Sequence, residues 1–296
     1  MSSESILPPL SVRPNTAKTR IQKLWGGIQV DFNLSTTLLL GAVLQSLLVL
    51  ILPTRYAVTP AIIFLGIRII DVVLVTKGFK PNPYLRDVVF KKSTPQVLDR
   101  NGEFNGPGQE KVAILLLAAK SNHPLGIFAP DYRTVDEFTT KMSAQLEDPM
   151  SQDAGFLGQT RFTRRDDNGA TENMIISYWR SLSDVHAYAH SPLHREAWLW
   201  WDKTLSVHKH IGFMHEVFEA PRGMWEGVYI NFQPVLLGAT TYLRRGGKTE
   251  AGRVQDEWVS GLLDANRGRL KTSNGRRGLS GEDVEVDKFG KNYYEE

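Results

Sequence analysis

Two long apolar runs follow each other near the N-terminus. The first extends from Leu34 to Leu52 without a charged residue, and the second extends from Ala57 to Val75. Each is close to the ~20 apolar residues that a helix needs to cross a bilayer. Arg68 and Asp71 interrupt the second run and, being three residues apart, share one face of a helix, where we expect pairing or snorkelling. The pattern predicts a membrane-anchoring helical hairpin over residues 34–77.

Two other interpretations of the hairpin fit the pattern less well. A cleaved signal peptide would start earlier, would have a shorter apolar run and would end in a small-residue cleavage site. A soluble core hairpin would contain uncharged runs that are uncommon in soluble helices. Basic residues precede the first run and follow the second, and only Arg55 lies between them. The positive-inside rule then places both flanks in the cytosol. We expect the endoplasmic reticulum membrane, with the folded part facing the cytosol.

Beyond the hairpin, the apolar pattern changes to that of short strands and helices. The order of these elements is β-α-β-β-α-β, which is the ferredoxin-like arrangement of an α+β domain. Its single sheet has an open face that a second copy of the chain or an internal partner must cover. The predicted strands are at 112–119, 156–164, 174–180, 211–218 and 227–232, and the predicted helices are at 131–148, 184–190 and from 192 onward.

These patterns divide the chain into five parts. From about Arg244 onward Gly, Arg, Lys and Asp dominate, which is typical of a mobile tail. The parts are a cytosolic N-terminal tail at 1–33, the hairpin at 34–77, a linker rich in Pro, Gly and Asn at 78–110, an α/β domain at 111–240 and a charged flexible C-terminal tail at 241–296.

Composition narrows the range of functions. The net charge of +3 is mild and dispersed, so we expect no nucleic-acid partner. The chain has no cysteine, which excludes disulfides, thiolate metal sites and cysteine nucleophiles. No phosphate-binding loop, nucleophile elbow or dinucleotide fingerprint is present. The sequence therefore requires no NAD, flavin or ATP, and no other cofactor.

Three histidines recur at intervals of four residues. His186, His190 and His194 would align on an unbroken helix, but Pro192 interrupts it. No cysteine or well-placed carboxylate completes a metal set. We interpret the three as solvent-facing helix residues and predict no metal site.

His215 lies in a strand-like run from 212 to 218. An inward-facing imidazole in an aromatic pocket could ligate haem iron, act as a base or polarise a carbonyl. The alternative is a core histidine that is hydrogen-bonded to backbone groups. Arg180, at a strand end, and Asn231 are polar groups that could orient a ligand.

Aromatic residues concentrate around His215. They could line a pocket for a flat or polyunsaturated ligand. A large aromatic core or a dimer face would give the same pattern. The cluster contains Tyr178, Trp179, Trp198, Trp200, Trp201, Phe213, Phe218, Trp225 and Tyr229.

The segment Ser177-Tyr178-Trp179-Arg180-Ser181, followed by Asp184 to Ala189, resembles dimeric α/β-barrel proteins of the antibiotic-biosynthesis monooxygenase type. The stretch from Lys111 to about Leu237 is similar to a fungal and bacterial group related to those enzymes, whose members often occur in secondary-metabolite pathways. The resemblance implies a monooxygenase that acts on a hydrophobic intermediate, such as a polyketide, a terpenoid or an aromatic compound. In cofactor-independent relatives the substrate itself is deprotonated and reacts with oxygen.

A local likeness to haem-containing aldoxime dehydratases rests on two runs. His215-Glu216-Val217 resembles the run that supplies their haem ligand. Tyr229-Ile230-Asn231-Phe232-Gln233-Pro234 resembles a later run, with Gln233 where the catalytic histidine of those enzymes stands. This likeness implies that His215 is an axial haem ligand, whereas the departure at Gln233 argues against dehydratase activity.

The leading hypothesis is therefore a membrane-anchored monooxygenase that binds a hydrophobic small molecule and molecular oxygen and forms a homodimer. Its rivals are a haem-dependent lyase or oxygenase and a non-catalytic ligand-binding protein. We expect His215, Arg180 and Asn231 to be catalytic, and His215 also to hold haem if haem is bound. The expected substrate-binding residues are Trp179, Tyr178, Tyr229, Phe213 and Gln233.

Overall fold

The computed structural model describes residues 5–14, 31–148, 154–248 and 254–279. The helices are α1 (Leu34–Ile51), α2 (Thr54–Thr76), α3 (Tyr132–Glu147), α4 (Leu182–Ala189), α5 (Pro192–Thr204) and the one-turn α6 (Ser273–Arg276). The strands are β1 (Val89–Pro95), β2 (Val112–Ser121), β3 (Phe156–Arg165), β4 (Thr171–Trp179), β5 (Ile211–Ala220), β6 (Tyr229–Phe232), β7 (Thr241–Lys248), β8 (Val254–Ser260) and β9 (Leu262–Asp264).

The main sheet has four antiparallel strands in the order β3-β4-β2-β5. With α3 between β2 and β3, and with α4 and α5 between β4 and β5, this is the predicted ferredoxin-like arrangement. The sequence also marks where α4 begins, because the Ser181 hydroxyl accepts a hydrogen bond from the Asp184 amide as an N-cap. The fold prediction is confirmed.

Alternation along β4 sends neighbouring aromatic residues to opposite faces of the sheet. Trp179 packs on the helix side with Leu146 of α3 and Val185 of α4. Tyr178 packs on the other side with Leu237 and Tyr242. That second face is covered in part by a sheet of order β6-β1-β9 and by the hairpin of β7 and β8. The chain thus supplies an internal partner for part of the face that the sequence left open.

The structure differs from the predicted linker and tail. The strand β1 lies within the supposed linker 78–110, and β7, β8 and β9 lie within the supposed tail 241–296. The strands β1, β7 and β8 are short and rich in polar residues and β9 has three residues, so none shows a clear apolar period; Ser93 and Thr94 of β1 are nevertheless fully buried. Backbone pairing and the burial of single apolar side chains such as Tyr242 and Leu262 hold these strands in place. The prediction of irregular structure is wrong for these strands, while residues 280–296 of the tail lie outside the described residues.

The N-terminal segment 5–14 is also part of the fold. The Leu10 amide donates to the Trp258 carbonyl at 2.9 Å, and the Trp258 amide returns a bond at 2.7 Å. The Ile6 amide donates to Leu262 in the same way. The segment therefore extends the edge of β8 and β9, whereas the sequence analysis assigned it to a tail. Residues 15–30 of that predicted tail lie outside the described residues.

The two apolar runs form α1 and α2, which are long and apolar enough to cross a membrane. Most of their residues are exposed, and Ala57, whose carbonyl accepts a hydrogen bond from Gln45, is the one that is buried. Asp71 forms its ion pair with Lys80 beyond the helix, not with the expected Arg68. The pair places the Asp71 charge at the C-terminal end of α2, toward Lys80.

The start of the hairpin is attached to the α/β domain at Asp31. Its carboxylate accepts hydrogen bonds from the Ile127 amide at 2.7 Å and from the Thr171 hydroxyl. Gly126, beside this contact, has a φ of +55°, and a Cβ at this position would overlap the Asp31 carboxylate. Glycine is therefore required both for the left-handed backbone and for the close approach.

Candidate active site

A chain of aromatic contacts connects the sheet to the helix layer. The Trp179 ring lies 5.2 Å from the Phe156 ring and 5.6 Å from the Tyr188 ring of α4. Tyr188 in turn contacts the His194 ring of α5 edge-on at 6.2 Å. Trp179 is only 1% exposed, and its indole nitrogen donates to the Ser177 hydroxyl. Trp179 is thus a rigid support for Tyr188, not an accessible pocket residue.

A cavity of about 280 Å³ adjoins Tyr188 on the helix side. It lies between the end of α3 and the α4–α5 corner. Its polar groups include the Ser191 hydroxyl, which is buried and has no hydrogen-bond partner among the described residues. Buried polar groups are nearly always paired, so an unpaired one marks a place where a ligand or water belongs. The lining residues are Gln145, Leu146, Ala154, Asp184, Ala187, Tyr188 and Ser191.

His194 is the group near this cavity that is best suited to accept a proton. Burial lowers its pKa below the ordinary value of 6.5; the Ala189 carbonyl opposes this, and repulsion from His190 and His215 adds to it. Its Nδ1 atom is buried and makes no hydrogen bond of good geometry with any described residue. The ring is therefore neutral at pH 7 and has a nitrogen available as a base.

Two further groups complete the arrangement. Burial raises the pKa of the Tyr188 phenol, which stays protonated and donates toward the Met142 carbonyl and the Gln145 side-chain oxygen, each at 3.3 Å. His215 lies on the helix side of the edge strand β5, in register with Leu117. It faces the same side as Val217, which packs against the Trp179 cluster. Charge repulsion from His215 contributes to the lowered pKa of His194.

The structure distributes the residues predicted to form one site over three places. Trp179, Phe213 and His215 are on the helix side, where the Phe213 ring contacts Trp201 at 4.7 Å. Arg180 lies at the end of β4, where it donates to the carbonyls of Leu98 and Asp99. The expectation of a single pocket overlooked strand alternation, which separates even from odd positions.

The third place is the opposite face of the sheet. Tyr229 donates to the Val235 carbonyl at 2.8 Å and lies close to Tyr178, and burial together with Tyr229 raises the pKa of Tyr178 to about 12. Asn231 adopts a left-handed φ of 49°, and both it and Gln233 are exposed. These four residues do not reach His215.

Haem does not fit the surroundings of His215 as the side chains lie. His215 is exposed on an edge strand, and the packed rings of Phe213 and Trp201 occupy the adjacent surface. A macrocycle needs an enclosed apolar slot around its axial ligand. Among the described residues, no group of three or more His, Asp or Glu side chains is placed to hold a metal ion.

The sequence analysis did not identify His194 and Ser191 as candidate site residues. Its prediction that His194 faces solvent is wrong, because the ring is partly buried against Tyr188. Both residues lie beside the Ser-Pro corner between α4 and α5, which in the sequence indicates only that the histidine series is interrupted. The interruption has the effect of directing His194 toward Tyr188. An aromatic residue six positions before a histidine, across a helix-breaking proline, is the signal that could have indicated the contact.

Residues 112–237 match the model of a family described as Monooxygenase af470-like. Monooxygenase af470 from Aspergillus fumigatus is 30% identical to this chain over 256 residues, which cover 84% of this chain and 88% of the relative. Among solved structures, an aldoxime dehydratase in complex with butyraldoxime is 13% identical, with a TM-score of 0.34 over 50% of this chain and 40% of that one. The chain therefore spans less than half of the dehydratase.

The structure of SnoaB from Streptomyces nogalater, a cofactor-independent oxygenase, is also similar to this chain. It is 15% identical, with a TM-score of 0.23 over 37% of this chain and 91% of that one. The resemblance to antibiotic-biosynthesis-type monooxygenases that the sequence analysis stated is confirmed by the family match and by the fungal relative. The chain is an enzyme and belongs to the Monooxygenase af470-like family.

Proposed function

We propose that this enzyme is a membrane-anchored monooxygenase that oxidises a hydrophobic small molecule with molecular oxygen and without a bound cofactor. The observation that carries the proposal is the neutral, partly buried His194 beside Tyr188 and a cavity with an unpaired Ser191 hydroxyl. The family match supports the reaction class. The apolar surroundings of the site favour a substrate that is itself mostly apolar.

The chemistry that suits these groups begins with removal of a proton from an activated CH₂ group, flanked by aromatic rings or carbonyls. His194 accepts that proton, and the Tyr188 phenol turns its hydrogen bond from the Met142 carbonyl to the substrate, where it stabilises the negative charge that develops. The carbanion then passes an electron to oxygen, and a C–O bond forms to give a hydroperoxide. Loss of water leaves a carbonyl group. One oxygen atom enters the product, the other leaves as water, and the substrate supplies all the electrons.

The roles of the two histidines follow from their positions. His194 is the proposed base because its ring contacts the cavity-lining Tyr188. His215 is a positioning residue whose charge repulsion helps to keep His194 neutral. Arg180 and Asn231, the other predicted catalytic residues, are not required by this mechanism.

Oxygen uptake by the full-length protein in detergent tests the proposal. The probes are apolar compounds with an acidic CH₂ group, such as anthrones and 1,3-diketones. The inactive controls are the corresponding compounds in which that CH₂ group is already a carbonyl. We expect uptake of one oxygen molecule per carbonyl formed and strong loss of uptake in His194→Gln. His186→Gln is the matched control, because His186 is exposed on α4. Unchanged turnover in a folded His194→Gln protein would overturn the assignment.

Membrane anchoring is supported by the exposed apolar surfaces of α1 and α2. The pairing of segment 5–14 with β8 adds a topological argument: the segments before and after the hairpin belong to one folded unit. Two spans, an even number, return the chain to the side where it started. The basic flanks favour the cytosolic side, and the endoplasmic reticulum is the proposed membrane. Resistance to alkaline extraction, together with protease accessibility of the domain in sealed microsomes, would support this, and alkaline release would contradict it.

A homodimer is supported by the part of the main sheet that the chain leaves uncovered. A cross-strand row on this face joins Phe162, Met174, Ala118 and Met214. Phe162 and Met214 are 44% and 41% exposed, and Phe218 on the same face is 54% exposed. Light scattering in detergent should give a dimer that Phe162→Glu dissociates, and a monomeric wild-type protein would exclude it.

The sequence likeness around His215-Glu216-Val217 keeps a haem-dependent lyase or oxygenase as the second candidate. An absorbance spectrum of protein from haem-supplemented cells decides between the two. The surroundings of His215 lead us to expect no Soret band. A Soret band that is lost in His215→Ala would replace the cofactor-independent proposal. A non-catalytic ligand-binding role would require ligand binding without oxygen uptake.

A further inference from the structure

A second cavity, of about 500 Å³, lies between the loop before β2 and the β7–β8 hairpin. We call it the arginine cleft, because four of its lining residues are Arg100, Arg180, Arg244 and Arg245. Its single acidic lining residue among those described is Glu103. Its volume is in the ordinary range for a small-molecule site. The proposed reaction uses none of these residues.

The arginines of the cleft differ in how their charges are balanced. Arg244 forms ion pairs with Glu103 at 3.0 Å and with Glu257 at 3.6 Å. Arg180 donates to two backbone carbonyls and lies over the Tyr242 ring at 5.6 Å, so no carboxylate contacts it directly. Arg100 and Arg245 are exposed at the rim and form no ion pair with a described residue. The cleft therefore has an excess of positive charge.

The charges around Arg180 are mixed. Burial lowers the pKa of Arg180 and Arg100 lowers it further, whereas Tyr242, Glu110 and Asp99 oppose this. Behind the floor, the buried Arg13 lies 4.8 Å from the Phe156 ring and 4.7 Å from the Trp258 ring, and Glu147 offsets part of its charge. Arg100 and Arg245 are therefore the cleft arginines whose charges an entering anion would balance.

The floor of the cleft indicates what the anion is attached to. Phe156, Leu157, Tyr242 and Trp258 line the cleft and are at most 5% exposed, because most of their surface packs in the interior. Arg13 covers a face of the Phe156 and Trp258 rings and Arg180 covers a face of the Tyr242 ring, so a small aromatic body would meet the exposed edges of this floor while its charged group meets the arginines at the rim. The planar guanidinium fork matches a carboxylate in geometry as well as in charge.

We propose that the arginine cleft binds a small organic carboxylate, with its apolar body on the floor formed by Phe156, Tyr242 and Trp258 and its carboxylate between Arg100 and Arg245. This site is separate from the cavity beside His194, and the proposal does not depend on the proposed oxygenase reaction. The carboxylate among the described lining residues, Glu103, is paired with Arg244, so we propose binding without transformation of the ligand.

Ligand-observed fluorine NMR on the full-length protein in detergent tests the site. The probe is fluorobenzoate, and the matched neutral probe is fluorobenzamide, which has the same shape without the charge. We expect fluorobenzoate to bind at least about tenfold more tightly than fluorobenzamide, and its binding to weaken as NaCl is raised. Inorganic phosphate should compete poorly, because it lacks the apolar body.

The double variant Arg100→Gln/Arg245→Gln should weaken fluorobenzoate binding at least about tenfold, and Arg100→Lys/Arg245→Lys should restore part of it, because charge is kept while the fork is lost. Arg133→Gln, an exposed arginine on α3 paired with Glu137, is the charge-matched control and should have no effect. Three outcomes would each overturn the proposal. The two probes could bind equally well, the glutamine double variant could bind fluorobenzoate as tightly as wild type, or phosphate could bind in preference to fluorobenzoate. Unchanged thermal unfolding of the variants verifies that they are folded.

Discussion

Two cavities of the molecule differ in the side chains that line them. The smaller one lies in the helix layer and is lined mostly by uncharged residues, among them Tyr188 and Ser191, together with Asp184, and His194 lies beside it. The larger one lies at the β7–β8 hairpin and gathers arginines. A chain of ring contacts leads from Phe156, which lines the larger cavity, through Trp179 to Tyr188. The beginning of β3 and the end of β4 therefore contribute residues that connect the two cavities.

The difference follows from what covers each region. Helices α3, α4 and α5 bury the groups beneath them, and burial favours the neutral form of an imidazole or a phenol. The hairpin and loop around the arginine cleft leave its rim open to water, where guanidinium groups keep their charge at little cost. One region is suited to proton transfer, and the other to holding an anion.

The largest expected effect is on catalysis. His194→Gln should lower turnover by about 10²- to 10⁴-fold, the usual contribution of a general base. His215→Ala should lower turnover less and should move the acidic limb of the pH–rate profile to higher pH, because removal of the neighbouring repulsion raises the pKa of His194. The initial rate of oxygen uptake at a series of pH values measures the turnover and the pH–rate profile of each variant. Full activity of a folded His215→Ala protein would show that His215 has no part in the site.

Trp179→Ala should have the largest effect on stability. Its indole supports both Phe156 and Tyr188, and truncation of a buried tryptophan costs about 3–5 kcal/mol. Phe213→Ala, on the same face but 43% exposed, should cost clearly less. Urea unfolding of both variants in one detergent measures the difference. Similar losses of unfolding free energy in the two variants would contradict the description of Trp179 as a rigid support for Phe156 and Tyr188.

Arg13→Met should destabilise the protein by about 2 kcal/mol or more, because the carbonyls of Leu146 and Phe156 both lose a buried donor. Leu146 lines the smaller cavity and Phe156 the larger one, so this side chain connects the two. Arg133→Met is the control, with an expected change within about 0.5 kcal/mol. The free energies of unfolding of the two variants are compared, and equal values would contradict the buried role of Arg13.

The smallest expected effect is a pH dependence of stability. The folded state lowers the pKa of His194 below 6.5, so at pH values between the lowered pKa and about 6.5 the unfolded chain binds more protons than the folded one. Stability should therefore rise as pH rises from the lowered pKa to about 6.5 and should level off above it. His194→Gln should flatten this rise, whereas His186→Gln should keep it. Urea midpoints at a series of pH values provide the measurement, and an unchanged slope in His194→Gln would assign the effect to another group.

The sequence was informative where apolar period is strong. The runs that became α1 and α2, the continuous apolar strand β2 and the capping residue Ser181 all predicted the observed elements. It was uninformative at β1, where Ser93 and Thr94 are buried by partners that are distant in the chain. The local pattern of apolar and polar residues does not predict such pairing between distant segments.

The candidate site was harder to predict than the fold. The aromatic cluster and His215 were recognised, but the alternation of Tyr178 and Trp179 divides the cluster between two faces of the sheet. The lowered pKa of His194 comes from its burial, next to Tyr188, and from repulsion by His215, and both depend on how the helix layer packs. Composition and spacing alone do not contain them.

The docking of segment 5–14 has a practical consequence for producing the enzyme. Starting the chain after Thr76 would remove the two apolar helices but also Arg13 and the strand pairing of Leu10 with Trp258. The domain would then have an open edge at β8, and the carbonyls of Leu146 and Phe156 would lose the hydrogen bonds from Arg13. A better-behaved soluble form would keep residues 5–14 and replace the hairpin with a flexible tether to β1, so that this segment can still pair with β8 and β9.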